Sequence, residues 1–129
     1  MPITTTWEPK GFVGVHIGDI TGEELRESVA EILTETAYES ALYAIVDLRR
    51  MTEMKAGPED FEYLNMARIG SYKSNPGLKI AIVVPGRLLQ WADQRLREMN
   101  DVPLGQCHDM RVFESLENAY AWVLPAAPR

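Results

Sequence analysis

At 129 residues the chain has the size of one domain, 1–129, large enough to bury a core without metals or disulfides. Its 46% hydrophobic and 25% charged residues exclude an extended disordered chain, and a net charge of -6 argues against a nucleic-acid surface, which needs a basic face. Cys107 is the only cysteine, which excludes an intramolecular disulfide and fits a reducing, cytoplasmic setting; the opening residues lack a signal-peptide pattern, and no run approaches the ~20 apolar residues of a membrane span.

Residues Ile3 to Trp7 alternate weakly, Glu8-Pro9-Lys10-Gly11 supplies turn chemistry, and Phe12 to Ile17 reads as a second strand, so the chain is expected to open with a β-hairpin. On the second strand Phe12, Gly14 and His16 share one face and Val13, Val15 and Ile17 the other. The apolar set is expected against helices, which leaves His16 on the solvent side or at the sheet rim. Gly18-Asp19-Ile20 should break the strand. Thr21 to Glu24 is a capping box, and Leu25, Val29, Ile32 and Leu33 form one helical stripe. Glu23, Glu27 and Glu31 lie away from its centre as a solvated face, not a metal site, because no histidine accompanies them at ligand spacing.

Ala41 to Val46 is nearly continuous in apolar residues, the pattern of a strand buried on both faces, and it runs on to Arg50. The following loop, Met51 to Gly57, ends at Pro58, which suits the first turn of a helix reaching to about Tyr72. Phe61, Ile69 and Tyr72 define one face of that helix with Leu64 at its edge; Tyr63, Met66 and Ala67 lie roughly opposite. Two readings stay open: a helix overlain by the neighbouring loop, or one whose second face meets another subunit or a hydrophobic ligand.

Ser74 to Gly77 is a turn, Leu78 to Val84 a second buried strand, and Pro85-Gly86 its end. Arg87 to Asn100 reads as a helix with Leu88, Ala92, Leu96 and Met99 inward and Trp91 at the margin. After a loop over 101–105, Met110 to Phe113 is a short edge strand. Ser115 can cap a last helix that packs through Leu116, Ala119, Tyr120 and Val123 and stops at Pro125. The order β-β-α-β-α-β-α-β-α predicts an α/β fold with a mostly parallel sheet and an antiparallel N-terminal edge strand.

Ligands in parallel sheets sit beyond the carboxyl ends of strands. Here those ends carry Arg49, Arg50, Thr52, Lys55, Gly57 and Arg87, a basic rim on an acidic chain that could hold an anionic group or a partner. The alternative is that the arginines pair with Glu53, Glu59 and Asp60. Met54, Tyr63, Met66, Trp91 and Met99 could line an apolar pocket between the second and third helices, or an interface, or pack in the core. Cys107-His108-Asp109 looks like a nucleophile beside its base, but neighbours in an extended segment point to opposite sides, so no catalytic role is expected. No metal or cofactor is expected.

Several segments carry a family resemblance: Gly18 to Thr21 at the first helix, Ala44 to Leu48, Lys79 to Val84, and above all Met110 to Val123, where a strand ending in Phe leads into a helix bearing Ala and Trp. Together they resemble the STAS-like (SpoIIAA-like) superfamily, the bacterial anti-sigma-factor antagonists and their little-characterised relatives. The resemblance implies a SpoIIAA-like fold. In the antagonists an Asp-Ser-Ser-Gly-like segment is phosphorylated after the third strand. The matching place is near Met54-Lys55-Ala56-Gly57, where only the glycine agrees, and Thr52 sits at another offset. The expected function is therefore a non-catalytic binding or regulatory domain without that serine. It would act through a homodimer or another protein, using the loop Arg49–Gly57 and the Pro58–Tyr72 helix. The alternative, by likeness to the related CRAL-TRIO domains, is a carrier or sensor of an apolar or anionic small molecule beneath the second helix.

Overall fold

The N-terminal hairpin joins β1 (Ile3–Trp7) to β2 (Gly11–Ile20) in antiparallel register, and every later pairing is parallel: β2 with β3 (Tyr43–Met54), β3 with β4 (Lys79–Val83), and β4 with β5 (Asp109–Phe113). This computed structural model describes residues 2–100 and 108–124, with side chains to residue 98 in the first segment. The loop 101–105, Cys107, Pro125 and the Met99 side chain lie outside the described residues. The helices are α1 (Gly22–Thr34), α2 (Pro58–Ser71), α3 (Leu89–Asn100) and α4 (Leu116–Val123), with single 3-10 turns at Thr36–Ser40 and Gly86–Leu88.

The strands lie in the order β1-β2-β3-β4-β5, so each parallel crossover steps the same way across the sheet. Crossovers of one hand then place α1, α2 and α3 on the same face. The opposite face receives α4, whose Ala119 and Val123 bury against Val13, Tyr43, Ile45, Ala81 and Val83. This arrangement creates a crowding problem. A helix is about 10 Å across, whereas one strand step is only ~4.8 Å, so three consecutive helices cannot all rest on the strands they connect. Some of that face must be vaulted.

Local sequence explains the helix starts. Thr21 accepts from the Glu24 amide at 3.1 Å while Glu24 reaches back to the Thr21 amide at 2.9 Å, closing the expected capping box. Ser115 caps α4 through the Asn118 amide, also as expected. α2 starts at Pro58, and Asp60 does double duty there: it accepts from the Gly57 amide at 2.9 Å and pairs with Arg26 of α1 at 3.0 Å. Gly22 is what permits that approach, because a Cβ there would land on the Asp60 carboxylate.

Three expectations are corrected. β2 does not end at Ile17 but continues to Ile20, with Gly18 at φ +73, a conformation easy only for glycine. β3 likewise runs past Arg50 to Met54, so the expected loop Met51–Met54 is strand paired with β2. The register slips between Val15 and Ile17 and again between Gly18 and Asp19, which bends this two-stranded extension out of the sheet. Third, His16 is not on a solvent side: it is 5% exposed, and it lies beneath the helices. Val13 packs under α4, while Ile17 is exposed. Both faces of β2 are covered over its first half, so alternation there separates two interiors.

Candidate functional site

Between the sheet and α1, α2 and α3 lies a cavity of about 240 Å³. Its floor includes Phe12, Gly14 and His16 from β2, Ala44, Val46 and Leu48 from β3, and Ile80 and Ile82 from β4. Leu25, Val29, Ile32 and Leu33, the whole stripe expected on α1, form one wall; Trp91, Ala92 and Leu96 of α3 form another. The roof is α2, through Phe61, Leu64, Ala67, Arg68 and Ser71. For scale, an engineered cavity of roughly 150 Å³ admits benzene and drug-sized pockets start near 300 Å³, so there is room for about ten heavy atoms.

The roof is pinned at both ends and spans the cavity between them. At its amino end Asp60 ties it to Arg26 on α1, and Phe61 meets Trp91 edge-on at 6.4 Å. Near its carboxyl end Arg68, only 7% exposed, donates to the Met110 sulfur on β5. Just beyond, Asn75 Nδ2 donates to the carbonyls of Tyr38 and Ala41, both at 2.7 Å, and its own carbonyl accepts from His108 Nε2 at 2.7 Å.

Two histidines line this mostly apolar space, together with Ser28, Arg68, Ser71 and Arg95. His16 donates from Nδ1 to the Gly14 carbonyl at 3.1 Å. Burial holds its pKa below the ordinary value, against the Gly14 bond and the Asp47 charge. His108, 3% exposed, is lowered first by burial and further by the neighbouring Arg68 charge, against the Asn75 bond. His108 Nδ1 has no hydrogen-bond partner among the described residues.

The residues expected in a basic rim are only partly gathered, and most are engaged. Arg49 forms a two-pronged pair with Asp47 at 3.0 and 2.9 Å. Asp47 is buried, which pushes its pKa up, but the Arg49 bonds outweigh this and hold it below the usual carboxylate value. Thr52 and Lys55 converge on Asp19 at 2.7 and 3.3 Å. Arg87 donates to the Met51 carbonyl. Gly57 caps α2 with extended backbone. Arg50 is exposed, and no ion pair engages it among the described residues. The arginine partners are thus Asp47 and a carbonyl rather than Glu53, Glu59 and Asp60; Asp60 pairs with Arg26 instead.

Of the expected apolar group, Met54 and Trp91 line the cavity, while Tyr63 and Met66 stand on the outer surface of α2 at 44% and 67% exposure. Ala67, expected beside them, faces inward. His16, Arg68, Ser71 and His108 were not singled out for this site. The available signal was the mixed inner face of α2, where Arg68 and Ser71 interrupt the apolar stripe. A second cleft of about 480 Å³ between β1 and α1 is more polar, lined by Thr4 and Thr5 and by Glu24, Glu27 and Glu31, and brings no basic side chain among the described residues to those carboxylates. Among the described residues no group of three or more His, Cys, Asp or Glu side chains is placed to hold a metal, and no helix is long and apolar enough to cross a membrane.

The fold defines the class: over residues 12–124 the chain matches the SpoIIAA-like family, and it belongs to that family. It is similar to the anti-sigma factor antagonist SpoIIAA in its unphosphorylated form, with a TM-score of 0.61 and 14% identity over 96% of this chain and 99% of that one. It is also similar to an uncharacterised protein of the DUF3478 family with a SpoIIAA-like fold from Shewanella loihica PV-4, with a TM-score of 0.57 and 16% identity over 94% and 91% of the two chains. No curated protein matches the sequence. At these identities the likeness is one of fold.

Proposed function

We propose that this protein is a non-catalytic binding domain that takes an apolar small molecule into the cavity beneath α2. The observation that carries this reading is the cavity itself: about 240 Å³, lined by aliphatic and aromatic side chains and roofed by a helix fixed at both ends. A space of this kind favours apolar surface without directional bonds. Binding rather than catalysis fits because no nucleophile with its base and no paired acids converge there among the described residues. Native mass spectrometry of protein purified from its own host tests the reading. A retained mass of a few hundred daltons or less supports it; a clean apo mass in every preparation overturns it.

A second reading has its own observation. Tyr63 and Met66 lie on the outer surface of α2, and exposed aromatic and methionine side chains are enriched at interfaces. The domain would then dock on a second copy or another protein, with Arg50 in the adjoining β3 extension. If the Tyr63→Ser plus Met66→Ser double variant keeps its mass in solution, this reading loses its support.

A further inference from the structure

We propose that the molecule held beneath α2 carries a hydroxyl group that donates to His108 Nδ1, so that the preferred ligand is an apolar alcohol rather than a fatty-acid anion. The inference rests on the cavity reading above and adds the chemistry of the head group.

His108 stands at the foot of β5, buried, on the lining of the cavity. Its Nε2 lies 2.7 Å from the Asn75 carbonyl, and a carbonyl oxygen only accepts, so the hydrogen is on Nε2. That acceptor is the Asn75 main-chain carbonyl, and the Asn75 side chain anchors the same turn through the Tyr38 and Ala41 carbonyls. A second ring proton is opposed by burial and by the Arg68 charge. A neutral ring protonated at Nε2 carries a lone pair at Nδ1, and that atom has no partner among the described residues.

A buried acceptor left unpaired is costly, and a ligand lying against Nδ1 can supply the donor. A lone water is poorly suited, since a buried water makes two to four hydrogen bonds and the surrounding lining is almost all apolar. Arg68 Nη1 donates to the Met110 sulfur, and the guanidinium charge acts on the His108 ring. A carboxylate would set lone pair against lone pair and bury a charge in apolar surroundings. A hydroxyl on a short apolar body supplies the missing donor and fills the space.

The test uses 1-octanol and its isomer 1-methoxyheptane, which share size and composition and differ in the donor, with octanoate as the anionic arm. Each is titrated by NMR into the full chain at about pH 7.5. Octanol is expected to bind about tenfold tighter than the ether, the usual weight of one well-placed hydrogen bond. In His108→Phe the alcohol-to-ether ratio should fall to about one while the ether still binds. Equal affinities in the unmodified protein, or octanoate binding tighter than octanol, overturn the hydroxyl assignment and leave the cavity reading standing. Binding by none of the three removes the cavity reading itself. Should His108→Phe fail to fold, long-range proton–nitrogen spectra of the unmodified protein decide: octanol must shift the His108 Nδ1 resonance and the ether must not. An unmoved Nδ1 overturns the proposal.

Discussion

The two faces of this sheet solve the same problem in opposite ways. One is closed by α4, which settles onto Val13, Ile45, Ala81 and Val83 and leaves its polar atoms paired: Tyr43 and Tyr120 both donate to the Glu8 carboxylate, the latter at 2.8 and 2.9 Å. Burial and that carboxylate push the Tyr120 hydroxyl up to about 12. The other face receives three helices over strands too closely spaced to seat them, and it keeps a void roofed by α2. The first face is packed without a gap, and the second combines two buried clusters, around Ile20, Leu48 and Val84 and around Phe12, Tyr38 and Leu78, with adaptable space between them.

Glycines on one strand give the sharpest way to break this comparison. A Cβ on Gly11, on the α4 side, would come within 2.5 Å of the Tyr43 carbonyl oxygen, a backbone atom with nowhere to go. Gly11→Ala should therefore cost on the order of 3 kcal/mol in urea unfolding, the upper range for overpacking. Next in size, Val83→Ala, at a fully buried position under α4, should cost about 2 kcal/mol, while Leu64→Ala on the cavity roof should cost less than ~1 kcal/mol because its site is already part void. Equal losses at the two positions would show that the cavity collapses in solution. Gly14 points into the cavity, and a Cβ there meets only His16 Cε1, at 3.7 Å. Gly14→Ala should raise stability by about 0.5 kcal/mol, since alanine is better than glycine within a strand.

The smallest effect is a dependence on pH. His16 and His108 titrate below the ordinary value of 6.5 when folded, so the unfolded chain takes up their protons first as pH falls. Stability from this source is complete above that ordinary value and declines as pH drops below it. The melting temperature should fall between about pH 7.5 and pH 5.5, and less steeply in His16→Gln. A profile flat over that window would mean that both rings are open to solvent.

What could be read from the residues divides along local and non-local lines. The helix starts at Thr21, Pro58 and Ser115 were legible because caps are set within four residues. The strand order of types and the antiparallel first strand followed from alternation of elements. His16 was misplaced for a definite reason: period-two alternation sorts side chains into two sets, but it names an interior only when the other side is solvent. The Met51–Met54 segment was missed because Thr52 and Glu53 stand together between its methionines, which breaks the period of two and imitates a loop. The cavity had no local signature, since it arises from the mismatch between helix width and strand spacing. Only Arg68 and Ser71 on the inner face of α2 hinted that something other than core lay beneath.

The long β3 has one more consequence. β4 pairs with it only as far as Asp47, so beyond that point β3 presents a free edge of backbone amides and carbonyls on its β4 side. Such an edge recruits other strands and seeds aggregation unless it is guarded. Here Arg87 covers the Met51 carbonyl from across the gap, and Arg49, Arg50, Glu53 and Lys55 crowd the segment with charge. Charge along that ribbon opposes edge-to-edge pairing, so neutralising those side chains should raise the tendency of the chain to aggregate.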